Sequence, residues 1–124
     1  MHQHEQLEVW KRSRALAVSL VRASRGSRTI IGGAAWAQIV RSAMSVPANI
    51  AEGARRDSAR EFAHFLSIAI ASAAELHTHL LIAGDAELMD AAYARQSTQE
   101  SSEIRRMLTS LRVHILKSSR PRAK

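Results

Sequence analysis

The residues with the greatest potential for chemistry are a few acids and histidines in the central part of the chain. A di-iron site in a helical bundle needs Glu-x-x-His on two helices and two further carboxylates. Glu61 and His64 form one such motif, and the sequence holds no second one. Glu75 and His79 are four residues apart and share a helix face, but this spacing is not that motif. We therefore predict no metal site and no cofactor.

Hydrolytic chemistry has no better support. Gly32 and Gly33 lack the lysine and the preceding strand that a P-loop requires. No serine lies in a pattern typical of a strained nucleophile elbow. The chain contains no cysteine, which excludes a disulfide framework, a thiolate metal site and a cysteine nucleophile. We predict a protein that is not an enzyme.

Positive charge is the strongest functional feature of the sequence. The chain has 18 Lys and Arg against 11 Asp and Glu, a formal net charge of +7. The basic residues concentrate in the first and last thirds, and the middle third is acidic. On a helix, Lys11, Arg14, Arg22 and Arg25 fall within a stripe about 80° wide. This stripe is a first candidate surface for an anionic partner.

A second basic set lies near the C-terminus. Arg95, Arg106 and Lys117 recur every eleven residues and so align on one helix face, and Arg105 and Arg112 form a second row. Such sets bind phosphates without sequence preference through counterion release, although a solvated helix surface is the alternative. The candidate nucleic-acid-binding residues are Lys11, Arg14, Arg22, Arg25, Arg95, Arg105, Arg106, Arg112 and Lys117. A second function stays open, a protein-interaction module whose basic face binds an acidic partner.

A polar set surrounds Pro47. Glu52 and Arg56 are four residues apart and face each other if the helix continues. The set is either a structural network, in which Asn49 and Glu52 satisfy backbone groups freed by Pro47 and by the helix terminus, or a ligand or subunit contact site. Its members are Gln38, Arg41, Asn49, Glu52, Arg56 and Glu75.

The basic and polar residues must be positioned by amphipathic helices. The apolar spacing predicts a first helix over Glu5–Ser24, with Gly26 as its left-handed cap. We expect a loop over Ser27–Gly33, in which Ile30 and Ile31 pack against the rest of the protein.

The second and third helices follow from similar patterns. The second is predicted over Ala34–Glu52, kinked but not broken by Pro47, and Gly53 ends it. The third begins at the capping box Ser58–Glu61 and ends at Gly84.

The fourth helix is predicted to start after Asp85 and to reach Lys117. Its middle, Gln96–Ser102, is polar all round and is either a long exposed stretch or a local fray. Four such helices predict an all-α fold, an antiparallel up-down-up-down left-handed four-helix bundle. We predict one bundle domain over residues 1–118 and a flexible basic tail over residues 119–124.

We predict the cellular location from two kinds of signal that we do not find in the sequence, a membrane span and a signal peptide. No apolar run approaches the ~18 residues of a membrane span, and no apolar core of a signal peptide follows the N-terminus. We expect a cytoplasmic protein without membrane contact.

A family resemblance begins at Asn49-Ile50-Ala51-Glu52-Gly53 with Pro47 upstream. Leu7-Glu8-Val9-Trp10, Arg55-Arg56 and Ser72–Leu76 fit the same pattern. Over about Leu7–Leu116 the chain resembles the four-helix-bundle proteins encoded by intervening sequences of bacterial 23S ribosomal RNA. The accessory variability protein of diversity-generating retroelements shares that fold. The resemblance implies a homopentamer without known enzyme activity, and the retroelement relatives imply contact with nucleic acid and a reverse transcriptase.

Overall fold

Four α-helices make up almost the whole of residues 3–118, which a computed structural model describes. After a short 3-10 helix at His4–Gln6, α1 covers Glu8–Ser24, α2 Ile30–Ala54, α3 Ala59–Asp85 and α4 Ala91–Ser118. Consecutive helices pack on each other and α4 packs back on α1, whereas α1 and α3 lie on a diagonal. No strand occurs in the described residues. The predicted up-down-up-down four-helix bundle is confirmed, and the predicted tail lies outside the described residues.

One apolar cluster joins the four helices. Leu66, Leu76 and Leu80 on the predicted seam of α3 are at most 2% exposed. They belong to the same cluster as Ile50 of α2 and Leu108 of α4. Each buried methylene group contributes roughly 0.8 kcal/mol, so this cluster supplies the main stabilisation that holds the helices in register.

The start of α2 differs from the prediction. Thr29, not a residue next to Ala34, is the N-cap, because its hydroxyl accepts a hydrogen bond from the Gly32 amide at 2.9 Å. The predicted loop over Ser27–Gly33 is therefore shorter. Gly26 was predicted to adopt a left-handed conformation, but no glycine within residues 3–118 has a positive φ.

Ile30 and Ile31 were predicted to pack against the bundle, and this prediction is wrong. They are 93% and 81% exposed. Because α2 already begins at Ile30, helical geometry turns both side chains away from the face that buries Gly32 and Trp36.

Gly53 and Gly84 were predicted to end helices, but they allow close packing instead. α2 runs unbroken through Pro47, as predicted, and ends only after Gly53. A Cβ at position 53 would lie 2.8 Å from the Cβ of Phe65, and one at position 84 would lie 3.0 Å from the Cβ of Ala94. These glycines therefore let α2 and α4 approach α3.

Side-chain caps fix the starts of α3 and α4. The Ser58 hydroxyl accepts a hydrogen bond from the Glu61 amide at 3.1 Å, as the capping-box prediction requires. The Asp90 carboxylate accepts one from the Tyr93 amide at 3.0 Å. α4 therefore begins after Asp90, and the prediction that Asp85 caps it is wrong, because Asp85 is the last residue of α3.

The polar middle of α4 is neither exposed nor frayed. Ser97 and Ser101 are 3% and 1% exposed, and the Ser101 hydroxyl donates to the Ala73 carbonyl of α3 at 3.0 Å. Small side chains that bond to a neighbouring backbone can occupy a core position, so apolar periodicity alone did not identify this face.

By length and composition, α3 is apolar enough to cross a membrane, with a mean hydropathy of 1.5 over its most apolar 18 residues. The core helix of a bundle passes the same test. Only 28% of that window is buried inside the protein, so α3 also leaves apolar side chains at the surface.

Candidate nucleic-acid interface

The basic stripe of α1 borders a groove against α2. Lys11, Arg14, Arg22 and Arg25 are all exposed. The three arginines line a groove of about 590 Å³ between the two helices. The Arg14 guanidinium lies 5.7 Å from the centre of the Trp10 ring, a cation–π contact that leaves its charge at the surface.

The predicted cations of α4 are exposed except for Arg112, and two of them, Arg106 and Arg112, have partners within the protein. Within residues 3–118, no ion pair involves Arg95, Arg105 or Lys117. Arg106 pairs with Glu103 at 3.2 Å on the same helix. Arg112 is half-buried, and its Nε donates to a carbonyl of α3, that of Ala63, at 3.1 Å. Arg112 therefore ties α4 to α3, which differs from its predicted role as a phosphate ligand.

Grooves connect the two basic sets to their neighbouring helices. The arginines of the α1 row border a groove against α2, and Arg14 and Arg22 also border one with Tyr93 of α4. Arg95 borders a groove with Leu81 and Asp85 of α3, whereas Arg106 lines a polar cleft of about 900 Å³ formed mainly by α1 and α4. The protein thus presents basic faces on two neighbouring helices.

An ion pair that sequence reasoning missed crosses this cleft. Arg12 donates from Nε to Glu100 at 3.0 Å and from Nη2 to the other carboxylate oxygen. The hydrogen bond to Glu100 raises the pKa of Arg12 against the opposing effect of burial. Both side chains are about one-third exposed, so the pair contributes about 1 kcal/mol at most. The partners are 88 residues apart, and no local pattern could have paired them.

The other polar groups of the cleft bond to one another. The Ser19 hydroxyl pairs with the Tyr93 phenol, and the Ser102 hydroxyl lies 3.2 Å from His77 Nδ1. Ser102 lies within α4 and His77 within α3, whereas Ser19 lies within α1. These contacts therefore join α4 to both α1 and α3.

A polar seam links α2 to α3. Arg41 forms an ion pair with Glu75 and donates from Nε to Gln38 at 3.1 Å. His79 Nε2 lies 3.8 Å from Glu75 without a hydrogen bond of its own. The predicted polar set around Pro47 therefore has members on both α2 and α3.

The rest of the predicted polar set is also engaged within the bundle. Asn49 Nδ2 donates to the Ser45 carbonyl at 2.8 Å. The Ala43 carbonyl is the group that would bind the amide hydrogen that Pro47 lacks, so the prediction that Asn49 satisfies a group freed by Pro47 is wrong.

Glu52 and Arg56 pair across one helical turn, as expected from their spacing. The Arg56 guanidinium lies 4.9 Å from the centre of the Phe65 ring of α3. These are the contacts of a structural network at the end of α2. Within residues 3–118, no group of three His, Asp or Glu side chains lies close enough together to hold a metal ion.

The fold and these contacts define a small all-α bundle protein with a polar seam and two basic faces. Residues 5–110 match the family model of the 23S rRNA-intervening sequence protein, and the chain belongs to this family. The resemblance in the sequence is therefore confirmed.

A solved structure extends the comparison. A protein of unknown function of the S23 ribosomal protein family from Bacteroides thetaiotaomicron VPI-5482 is similar, with a TM-score of 0.75 and 26% identity. The similarity covers 83% of this chain and 96% of that one. Among curated proteins no match was found.

Proposed function

We propose that the protein is a non-enzymatic, oligomeric adaptor of the cytoplasm that binds RNA or DNA phosphates without sequence preference and needs no cofactor. The observation that carries this proposal is the set of three exposed α4 cations, Arg95, Arg105 and Lys117, that have no acidic partner in the described residues. The net charge of +7 and a family named for an intervening sequence of 23S rRNA support it.

The side chains favour phosphate binding over base recognition. Proteins that bind single strands through their bases need exposed aromatic rings. Trp36 and Phe62 are buried, Trp10 is half-buried beneath Arg14, and Arg56 lies over Phe65. Charge is therefore the main source of affinity, and we expect little difference between sequences.

Self-association belongs to the same proposal. The family resemblance implies a homopentamer, and a ring would present the exposed α4 cations five times. Repetition raises the effective affinity for a long polyanion without any new contact. A reverse transcriptase or another protein is a further partner that the resemblance implies.

The experiment compares two variants that lose the same charge. Arg105→Gln/Lys117→Gln removes two of the α4 cations, and Arg28→Gln/Arg60→Gln removes two exposed cations elsewhere that also have no ion-pair partner in the described residues. Binding to fluorescent duplex DNA is measured by anisotropy over a range of salt concentrations. Each lost phosphate contact should reduce the slope of log affinity against log salt by about 0.9. We expect this change for the α4 variant and a smaller one for the control. Equal losses of affinity and of salt slope in both variants would contradict the assignment of phosphate binding to the α4 cations.

A further inference from the structure

An apolar groove with basic edges is open between α1 and α2. Val18, Met44 and Ala48 line it, and Arg22 and Arg25 stand at its border; we call these five residues the basic groove. Val18 is 40% and Met44 54% exposed. Large apolar side chains grouped at a surface and surrounded by charge are typical of a protein contact site.

A surface of opposite charge lies at the C-terminal end of α3. Leu81 and Ile82 are 47% and 57% exposed, and Asp85 and Glu87 follow them, both exposed; we call these four residues the acidic ridge. They are exposed because the core face of α3 passes through the neighbouring Leu80.

We propose that the acidic ridge of one copy packs into the basic groove of the next copy. Each surface offers two large apolar side chains. Three arginines line the groove, because Arg14 joins Arg22 and Arg25 there, and the ridge carries two anions of the opposite charge. Within one copy the surfaces cannot meet, because α1 and α3 lie on a diagonal of the bundle. This inference rests on the self-association proposed above and names its contact surface.

The topology places the two charged pairs at the same height. In an up-down-up-down bundle, α1 and α3 run in the same direction. Ser19, one turn before Arg22, bonds to Tyr93, and Gly84, next to Asp85, packs against Ala94, so the charged ends of α1 and α3 both lie near the start of α4. Copies standing side by side and parallel therefore bring opposite charges together. Because the two surfaces differ, the contact is heterologous and repeats into a ring or a chain of copies.

The two kinds of contact have different roles. Burial of the apolar side chains supplies most of the affinity, while the exposed ion pairs are individually weak and fix register and orientation. In the assembly, carboxylates of the next copy then neutralise Arg22 and Arg25. Arg95 borders the acidic ridge, so the contact also covers part of α4. Nucleic-acid binding in the assembly is left to the α4 cations farther along the helix, Arg105 and Lys117.

Charge exchange tests the pairing. The groove variant is Arg22→Glu/Arg25→Glu, the ridge variant is Asp85→Arg/Glu87→Arg, and a third variant carries all four changes. Molecular mass is measured by light scattering at micromolar concentration, and circular dichroism confirms that each variant is helical. We expect the groove and ridge variants to dissociate and the four-change variant to recover the mass of the parent. A one-to-one mixture of groove and ridge variants should also associate in alternating order, into assemblies with an even number of copies, because a ring of five cannot alternate.

Each contrary result has a distinct meaning. If the groove and ridge variants keep the mass of the parent, these surfaces are not the interface, although self-association stands. If both dissociate and the four-change variant stays dissociated, the two surfaces do not pair with each other. If light scattering gives the parent protein the mass of one chain, 13.7 kDa, self-association itself is overturned. This holds even if an acidic protein or an anionic vesicle binds in the groove.

Discussion

Leu80 and Leu81 are neighbours on α3 with opposite environments, and replacing each by alanine tests the packing of the core. Leu80 is fully buried, whereas Leu81 is 47% exposed. Both substitutions remove the same three carbon atoms from the same helix. Differences in helix propensity therefore cancel, and the comparison isolates the effect of burial.

The expected losses follow from the transfer free energy of the deleted atoms. At about 0.8 kcal/mol per buried carbon, Leu80→Ala loses roughly 2.4 kcal/mol, and the cavity left behind raises this loss to about 3–5 kcal/mol. Leu81→Ala removes atoms that are about half exposed and leaves no enclosed cavity. Its loss should be roughly 1 kcal/mol.

The free energy of unfolding is measured by urea denaturation of the parent and both variants. A low and a high protein concentration are needed, because assembly adds stability that depends on concentration. We expect Leu80→Ala to be less stable than Leu81→Ala by at least about 2 kcal/mol at low concentration. Losses that agree within about 0.5 kcal/mol would mean that the α3 seam does not form the core described above.

Three further stability predictions concern the packing at Gly53 with Gly33 as its control, the Ser58 cap, and the Arg12–Glu100 ion pair. Gly53→Ala should cost about 1–3 kcal/mol, because its Cβ would lie 2.8 Å from that of Phe65. Gly33→Ala, where nothing lies within 4 Å, should instead gain up to about 1 kcal/mol in thermal unfolding. Ser58→Ala should cost about 0.5–2 kcal/mol through loss of the α3 cap, and an unchanged Tm would contradict the cap. A double-mutant cycle of Arg12→Gln and Glu100→Gln should give a coupling of about 0.5–1 kcal/mol, and a coupling of zero would show that the pair is absent in solution.

The sequence predicted most of the fold because apolar periodicity records which side of each helix is buried. The α3 seam and its Ser58 cap are local features, so they could be read directly. The starts of α2 and α4 could not, because more than one residue nearby can act as a cap. Thr29 caps α2, which had been expected to begin near Ala34, and Asp90 caps α4, for which Asp85 had been expected. Only the tertiary packing decides between such alternatives.

The candidate site was predicted less completely, for a physical reason. Spacing along a helix aligned the basic residues of α1 and of α4, but it could not show which neighbouring helices each set borders. The bonds of Arg12 to Glu100 and of Arg112 to the Ala63 carbonyl connect distant parts of the chain. Whether an arginine is free or engaged depends on such contacts, which no local pattern contains.

The salt dependence of binding tests the proposed function most directly. The parent protein is titrated into fluorescent RNA and DNA oligomers of unrelated sequences, with polyglutamate as a competitor that carries charge but no phosphate. We predict binding at low salt to all oligomers with similar affinity, and a linear fall of log affinity with log salt. Polyglutamate carries its charges at roughly half the linear density of duplex DNA, so it releases fewer counterions on binding and should compete only weakly. An absence of binding to every oligomer at low salt would contradict the nucleic-acid role.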